Sequence, residues 1–360
     1  MTLAADCLYV ASALGRGNGE TLANLLARNA PGMAETEGDV PGRRLWFGGI
    51  PGDLPEIADR RWNMRACSLL KLAADSSMDR LDALVSRYGR GRVGVVLGAS
   101  NTGIDEAQSY VDEWIDSGAR PEGFDFSMLE LGTPAQYLAS LVGVEGPVYV
   151  VSTACSSSAK AFGAARRLIE RGVCDAVVTG GVDGRCRFAS NGFHALGALS
   201  EGRCRPLADD RDGINLGEAV ALFAVERDEV GAGVRLRGIG ESSDAYHATA
   251  PDPEGNGAEQ AMRAALVDAG LVPSDVDYVN LHGTGTLAND AMEMKAMRRV
   301  FGERLPECES TKSLTGHCLG AAGAVESAIC CLLVESGRRR VAMTNSFAFG
   351  GSNASVVFSA

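Results

Sequence analysis

Apolar runs and helically spaced apolar positions alternate along the chain. Val148-Tyr149-Val150-Val151 is short, β-branched and apolar, and predicts a buried strand. From about Ser156 the spacing changes, and Ala159, Phe162, Gly163, Ala165 and Leu168 predict a tightly packed helix running to Arg171. Upstream, Leu8 to Ala13 predicts a strand, Gly15 to Gly19 a turn, and Glu20 to Asn29 a helix with Leu22, Leu25 and Leu26 on one face. Ala30 to Asp59 is rich in Pro and Gly and is expected to be irregular, whereas Ala66 to Arg87 is amphipathic. Arg92 to Leu97 predicts a buried strand ending on the turn Gly98-Ala99-Ser100-Asn101-Thr102-Gly103. Pro134 to Val142 predicts a helix, and Asp175 to Gly181 and Ala219 to Glu226 predict strands.

The remainder repeats this order. Val234 to Ile239 predicts a strand, Glu254 to Gly257 a turn and Ala258 to Asp268 a helix. Val93 to Gly103 is echoed by Tyr278 to Thr286, so that Gly98 matches Gly283, and Gly172 to Thr179 is echoed by Gly337 to Thr344. A small-residue helix lies between the echoed strands each time, from Cys155 to Glu170 and from His317 to Glu335. This predicts an α/β fold of two pseudo-symmetric βαβ-rich halves, residues 1–228 and 229–360, with parallel-rich sheets.

Composition narrows the functions. The 360 residues are 46% hydrophobic and 22% charged, enough for a sizeable core. A net charge of −12 argues against nucleic acid, which needs a basic face. The ten cysteines form no C-x-x-C pair, so neither a disulfide framework nor a metal is expected, and the default compartment is the reducing cytoplasm. The N-terminus has no basic n-region, so no signal peptide is expected, and runs such as Ala328 to Val334 are too short to span a bilayer.

The candidate chemistry centres on Cys155, at the turn from strand to helix. A thiol there faces the positive end of the helix dipole, which favours the thiolate; the plain alternative is a small buried hydrophobe. Of four histidines, His282 and His317 sit in glycine-flanked loops that the duplication would bring to the same strand ends as Cys155. A Cys/His/His zinc site competes, but the spacing lacks the short ligand pair usual for zinc. His194 and His247 have no such placement and read as structural.

Thr153-Ala154-Cys155-Ser156-Ser157, His282-Gly283-Thr284-Gly285-Thr286, Lys312 to His317 and Phe349-Gly350-Gly351-Ser352-Asn353, in that order, resemble a β-ketoacyl-acyl-carrier-protein synthase of the elongating Cys-His-His type. Arg211-Asp212-Gly213 and Ser242 to His247 resemble further stretches of that family. The resemblance implies a thiolase-like fold in α-β-α-β-α layers and a decarboxylative Claisen condensation with malonyl-acyl carrier protein, without a redox or metal cofactor. It implies Cys155 as acyl acceptor, an oxyanion hole from the N–H groups of Cys155 and Phe349, and enolate stabilisation by His282 and His317. By the same resemblance Lys312, supported by Glu326, organises the site, Thr284 and Thr286 hold the pantetheine arm, and Phe193, Asn101 and Thr102 contact the acyl chain.

Polar Asn101 and Thr102, and Ala348 in place of a glycine before Phe349, depart from the fatty-acid enzymes and resemble the ketosynthases of aryl-polyene and xanthomonadin-type pigment clusters. An ordinary fatty-acid elongating enzyme and a non-catalytic chain-length-factor-like subunit are the alternatives. The implied partners are the acyl carrier protein and a second subunit, making a homodimer or a heterodimer with a chain-length factor. Strand 148–151 is too apolar for an exposed edge and is expected at a two-fold interface, with Met128 to Thr133 reaching towards the partner's acyl pocket. Arg60, Arg61, Arg65 and Lys71 form the densest basic cluster for carrier docking.

Overall fold

Most of the apolar runs become strands of one eleven-stranded sheet, and three further strands form a small second sheet. A computed structural model describes residues 3–228 and 233–360. The first half supplies β1 (Leu3–Ser12), β2 (Gly15–Arg16), β3 (Met33–Glu37), β4 (Arg44–Gly48), β5 (Val93–Gly98), β6 (Val148–Val151), β7 (Ala176–Asp183), β8 (Leu216–Gly217) and β9 (Ala219–Arg227). The second supplies β10 (Arg235–Ser243), β11 (Tyr278–Asn280), β12 (Glu307–Glu309), β13 (Val341–Ala348) and β14 (Ser352–Ser359). The helices are α1 (Asn18–Leu26), α2 (Arg65–Asp75), α3 (Met78–Tyr88), α4 (Ile104–Ser117), α5 (Thr133–Val142) and α6 (Ser157–Glu170). They continue with α7 (Arg187–Ala195), α8 (Asn256–Ala269), α9 (Leu287–Phe301), the short α10 (Lys312–Thr315) and α11 (Ala322–Glu335).

The strand order β12-β11-β13-β14-β10-β1-β9-β7-β5-β6 reads the same from both ends once the halves are matched. In each half the strand that leads into a glycine-containing turn pairs parallel with both neighbours, β5 with β6 and β7, β11 with β12 and β13. The sequence echo is one residue out of step with the ladders: Val93 pairs with Ala176, but Tyr278 pairs with Ala342 rather than Val341. The expected boundary begins at residue 229, and residues 229–232 lie outside the described residues.

Strand alternation generates the layers. On β5, β7 and β9 one face (Val96, Val177, Ala221, Phe223) packs on α6 and α11, and the other (Val95, Leu97, Val178, Leu222) packs under α2, α3 and α5. In the second half Ala342, Ala354, Val356 and Phe358 face the same central helices, while Met343 and Val357 face α8 and α9. Helices, sheet, α6 and α11, sheet, helices: this is the thiolase-like arrangement.

Several expectations need correction. Within Ala30–Asp59, β3 and β4 form an antiparallel hairpin, with Gly38, Pro41 and Gly42 in its connecting turn and most of the other Gly and Pro residues flanking it. The amphipathic stretch 66–87 is two helices, broken at Ser76–Ser77, where the Ser77 hydroxyl donates to the Leu8 carbonyl. The helices α4, α7 and α9 were not expected: α4 buries little beyond Ala107, and α9 buries Asn289, Asp290 and Glu293 among its methionines, which blurs the periodicity. Strand β6 is not buried. It ends the sheet, and Tyr149 is 37% exposed.

Candidate active site

Cys155 is presented by a strained turn. Between β6 and α6, Ala154 adopts a positive φ of 52°. The Ser157 hydroxyl accepts from Thr153 N–H at 2.9 Å and donates to the Ala154 carbonyl at 2.6 Å, closing the turn. Helix α6 begins against the end of β5, where a Cβ on Gly98 would stand 2.2 Å from Ser158 N, so no side chain fits there.

Two histidines converge on the sulfur. His317 Nε2 lies 3.0 Å from Cys155 Sγ. The His282 ring stands 5.5 Å from that of His317 at an interplanar angle of 80°, and one ligand atom from each of Cys155, His282 and His317 lies within 4.8 Å of the others. The three-ligand set that spacing argued against is therefore present in space. His317 is fixed through its backbone, donating to Asn215 O at 2.7 Å and accepting from Gly217 N–H at 3.0 Å. His282 and Gly283 donate their N–H groups to the two oxygens of Glu293 at 2.8 and 2.7 Å. Lys312 Nζ donates to the His282 carbonyl at 2.5 Å and to Glu326. Neither imidazole Nδ1 has a protein partner among the described residues.

Burial controls the protonation states. It pushes the Cys155 thiol up to about 12, against the pull of the Lys312 ammonium and the Phe349 N–H. The expected helix-dipole thiolate is thus overridden by desolvation, and the resting sulfur is a thiol. Burial, helped by Lys312, holds both histidines well below the usual imidazole range, so they are neutral. The same burial pushes Glu326 up despite its lysine.

Two cavities meet at Cys155. One, of about 230 Å³, is lined by His282, His317, Thr284, Thr286, Asn289 and Thr249 among others. The hydroxyls of Thr284 and Thr286 lie 3.0 Å apart on its wall. The other, of about 290 Å³, is lined by Ser100, Asn101, Phe188, Ala189, Leu196 and Leu319. Phe193 and Phe349 border both, with ring centroids 5.6 Å apart. Asn101 thus reaches the second cavity, and its buried Nδ2 has no protein partner among the described residues. Thr102 does not reach it: its φ is 49°, and its hydroxyl donates to the Met128 carbonyl at 3.4 Å.

The model of the β-ketoacyl synthase N-terminal domain matches residues 64–230, and that of the C-terminal domain matches residues 234–341. The chain belongs to the β-ketoacyl synthase family. It is 34% identical over 309 residues to 3-oxoacyl-[acyl-carrier-protein] synthase 2 of Staphylococcus aureus, covering 74% of this chain and 77% of that one. It is also 34% identical to nodulation protein E of Rhizobium meliloti, covering 82% of each. A chain of the complex between the ketosynthase ApeO and its chain length factor ApeC from Xenorhabdus doucetiae superposes with a TM-score of 0.92 at 38% identity, covering 99% of this chain and 98% of that chain. This ketosynthase is a condensing enzyme of the acyltransferase type. No described helix is long and apolar enough to cross a membrane.

The ketosynthase site also uses residues that motif reading missed. Glu293 and Asp290 on α9 are buried; Asp290 accepts from Leu207 N–H at 2.8 Å and Gly285 N–H at 3.2 Å, so together they anchor the His282–Thr286 loop. A second signal was available: Asp183 closes a strand whose other positions are apolar or small, an unusual place for a carboxylate. The basic cluster fares poorly as a docking face. Arg61 pairs with Asp59 at 2.7 Å, Arg65 with the buried Glu218, and Lys71 with Asp75 at 2.8 Å, which leaves only Arg60 of the four without an ion pair among the described residues. His194 lies on α7, and His247 Nδ1 accepts from Thr249 and Ala250 N–H, each at 3.1 Å.

Proposed function

We propose that Cys155, His282 and His317 carry out a decarboxylative condensation on acyl chains delivered by an acyl carrier protein. The observation that supports this reading most directly is the convergence of the three reactive atoms within 4.8 Å where two cavities meet. In the first step Cys155 Sγ attacks the thioester carbonyl. The thiol proton passes through His317 Nε2 to the departing carrier sulfur, and the N–H groups of Cys155 and Phe349 hold the oxyanion. Malonyl-carrier then loses carbon dioxide by cleavage of its carboxylate C–C bond. The resulting enolate oxygen is held by the neutral His282 and His317, for which Lys312 and Glu326 fix the geometry. The enolate carbon attacks the acyl carbonyl, the C–S bond breaks, and the sulfur takes up one proton to return as the thiol. Thr284 and Thr286 would hold the pantetheine arm, and Phe193 and Asn101 would contact the chain.

The chain acted on is read as conjugated and polyunsaturated, of the aryl-polyene kind. The 38% identity to a chain of the ApeO–ApeC complex supports this, as does the unpartnered Asn101 amide in a largely apolar cavity, a poor fit to a saturated alkyl chain. A second subunit, in a homodimer or with a chain-length-factor-like partner, would complete the acyl cavity, whose wall residue Phe188 is 67% exposed, and would cover the edge strand β6. The division into halves 1–228 and 229–360 and a cytoplasmic setting for ten free cysteines belong to the same reading.

Mass mapping after incubation with an acyl-carrier thioester tests the acceptor: acyl on Cys155, absent in Cys155→Ala, is expected, and label elsewhere would overturn the assignment. His282→Ala should still acylate but release little carbon dioxide from malonyl-carrier. Side-by-side turnover of polyenoyl and saturated carriers, with and without a partner subunit, tests the chain; preference for saturated chains by the protein alone would leave a fatty-acid elongating enzyme.

A further inference from the structure

We propose that Asp183 is a positioning residue that sets the width of the acyl cavity, and through it the discrimination among acyl chains. The inference rests on the reading above that the cavity beside Asn101 and Leu319 receives the chain.

Asp183 ends β7 fully buried, and its carboxylate does not line the cavity. It holds two segments that do. Oδ1 accepts from Ser100 N–H at 2.9 Å and from Asn101 N–H at 2.8 Å. Oδ2 accepts from the Ser100 hydroxyl at 2.7 Å and from Gly320 N–H at 2.6 Å. Ser100 and Asn101 form one part of the cavity wall, and Leu319, the neighbour of Gly320, forms another. A single carboxylate thus ties both parts to one point.

The close approach of the two segments is visible independently. A Cβ on Gly320 would stand 2.7 Å from Asp183 Oδ2 and 2.9 Å from both Ala99 C and Ser100 N. Leu319 has a φ of 50°, a left-handed conformation that a branched-chain residue keeps only when its surroundings hold it there. Burial pushes the Asp183 carboxyl up to about 6 even against its hydrogen bonds, so the fold retains this acid at a cost where an apolar residue would fill a strand end more cheaply.

Two substitutions loosen the tie by different routes. Asp183→Asn keeps one acceptor oxygen for Ser100 and Asn101 but turns an NH2 towards Gly320 N–H, which it cannot accept. Gly320→Ala leaves the carboxylate intact and forces the walls apart by one methyl group. The measurement is the ratio of kcat/KM for straight-chain over terminally branched acyl-carrier thioesters, with acetyl transfer to Cys155 followed by mass spectrometry as the control. Both variants are expected to lower the ratio about tenfold, mainly through KM for the branched chain, while acetyl transfer stays within about threefold. An unchanged ratio in Gly320→Ala, with acetyl transfer intact, would overturn the proposal even if Asp183→Asn fails to fold. Failure of the unsubstituted enzyme to take acetyl on Cys155 would instead overturn the ketosynthase reading on which it rests.

Discussion

Lys312 directs its ammonium at the carboxylate of Glu326, and both side chains are almost wholly buried, the lysine 1% exposed. A third partner, the His282 carbonyl, ties this pair to the reactive centre. Removing one member leaves the other as an unpaired buried charge. Lys312→Ala should therefore cost about 3–5 kcal/mol of stability in denaturant titration, and Lys312→Met combined with Glu326→Gln should recover much of it. A double variant no more stable than Lys312→Ala would mean that the pair contributes through packing alone.

The raised thiol gives Cys155 a recognisable reactivity profile. Alkylation by iodoacetamide should rise about tenfold per pH unit from pH 7 upward without a plateau below pH 10, because the thiolate fraction is still growing there. A plateau near neutrality would show the sulfur already ionised beside His317.

Glu293 is pushed up to about 7 by burial, above the value the same carboxyl has in an unfolded chain. Its contribution to stability is fully present below the unfolded value and is lost as pH rises through about 7. The loss is on the order of 3 kcal/mol. Thermal melts at pH 5 and pH 8 should differ less in Glu293→Gln than in the unsubstituted protein, although the glutamine variant is itself less stable for want of an acceptor at His282 or Gly283. Equal pH sensitivity in the two would exclude Glu293 as the titrating group.

The converging sulfur and imidazoles also suit a soft metal. Chelation with EDTA should leave condensation unchanged, whereas added zinc should inhibit and protect Cys155 from alkylation. Loss of activity on chelation would revive the zinc reading.

What could be read from the chain beforehand was largely local. The Cys155 turn, the two histidine loops and the echo between halves are written in contiguous residues, and the strands around them follow from apolar runs that any sheet would bury. Residues whose meaning depends on distant partners were not legible. Glu293 on α9 looks like a solvated helix charge until the His282 loop folds over it, and Asp183 gains its role only when the 99–101 turn and Gly320 arrive from opposite halves. The thiolate expectation failed for a related reason: a helix dipole can be read from one segment, but desolvation is set by every layer that closes over the sulfur. For β6 the apolar run predicted burial, and the strand instead ends the sheet partly exposed, since an apolar pattern is the same for a central strand and for an edge awaiting a neighbour.

Helix α11 is enclosed from Ala322 to Val334, with no residue in that stretch facing water. Its backbone amides have no local route to solvent, since fraying one end exposes nothing without first parting the two halves of the large sheet that pack on it. Hydrogen–deuterium exchange in its middle turns should therefore proceed only when the whole molecule opens, making this helix an internal gauge of global unfolding against which looser parts of the enzyme can be timed.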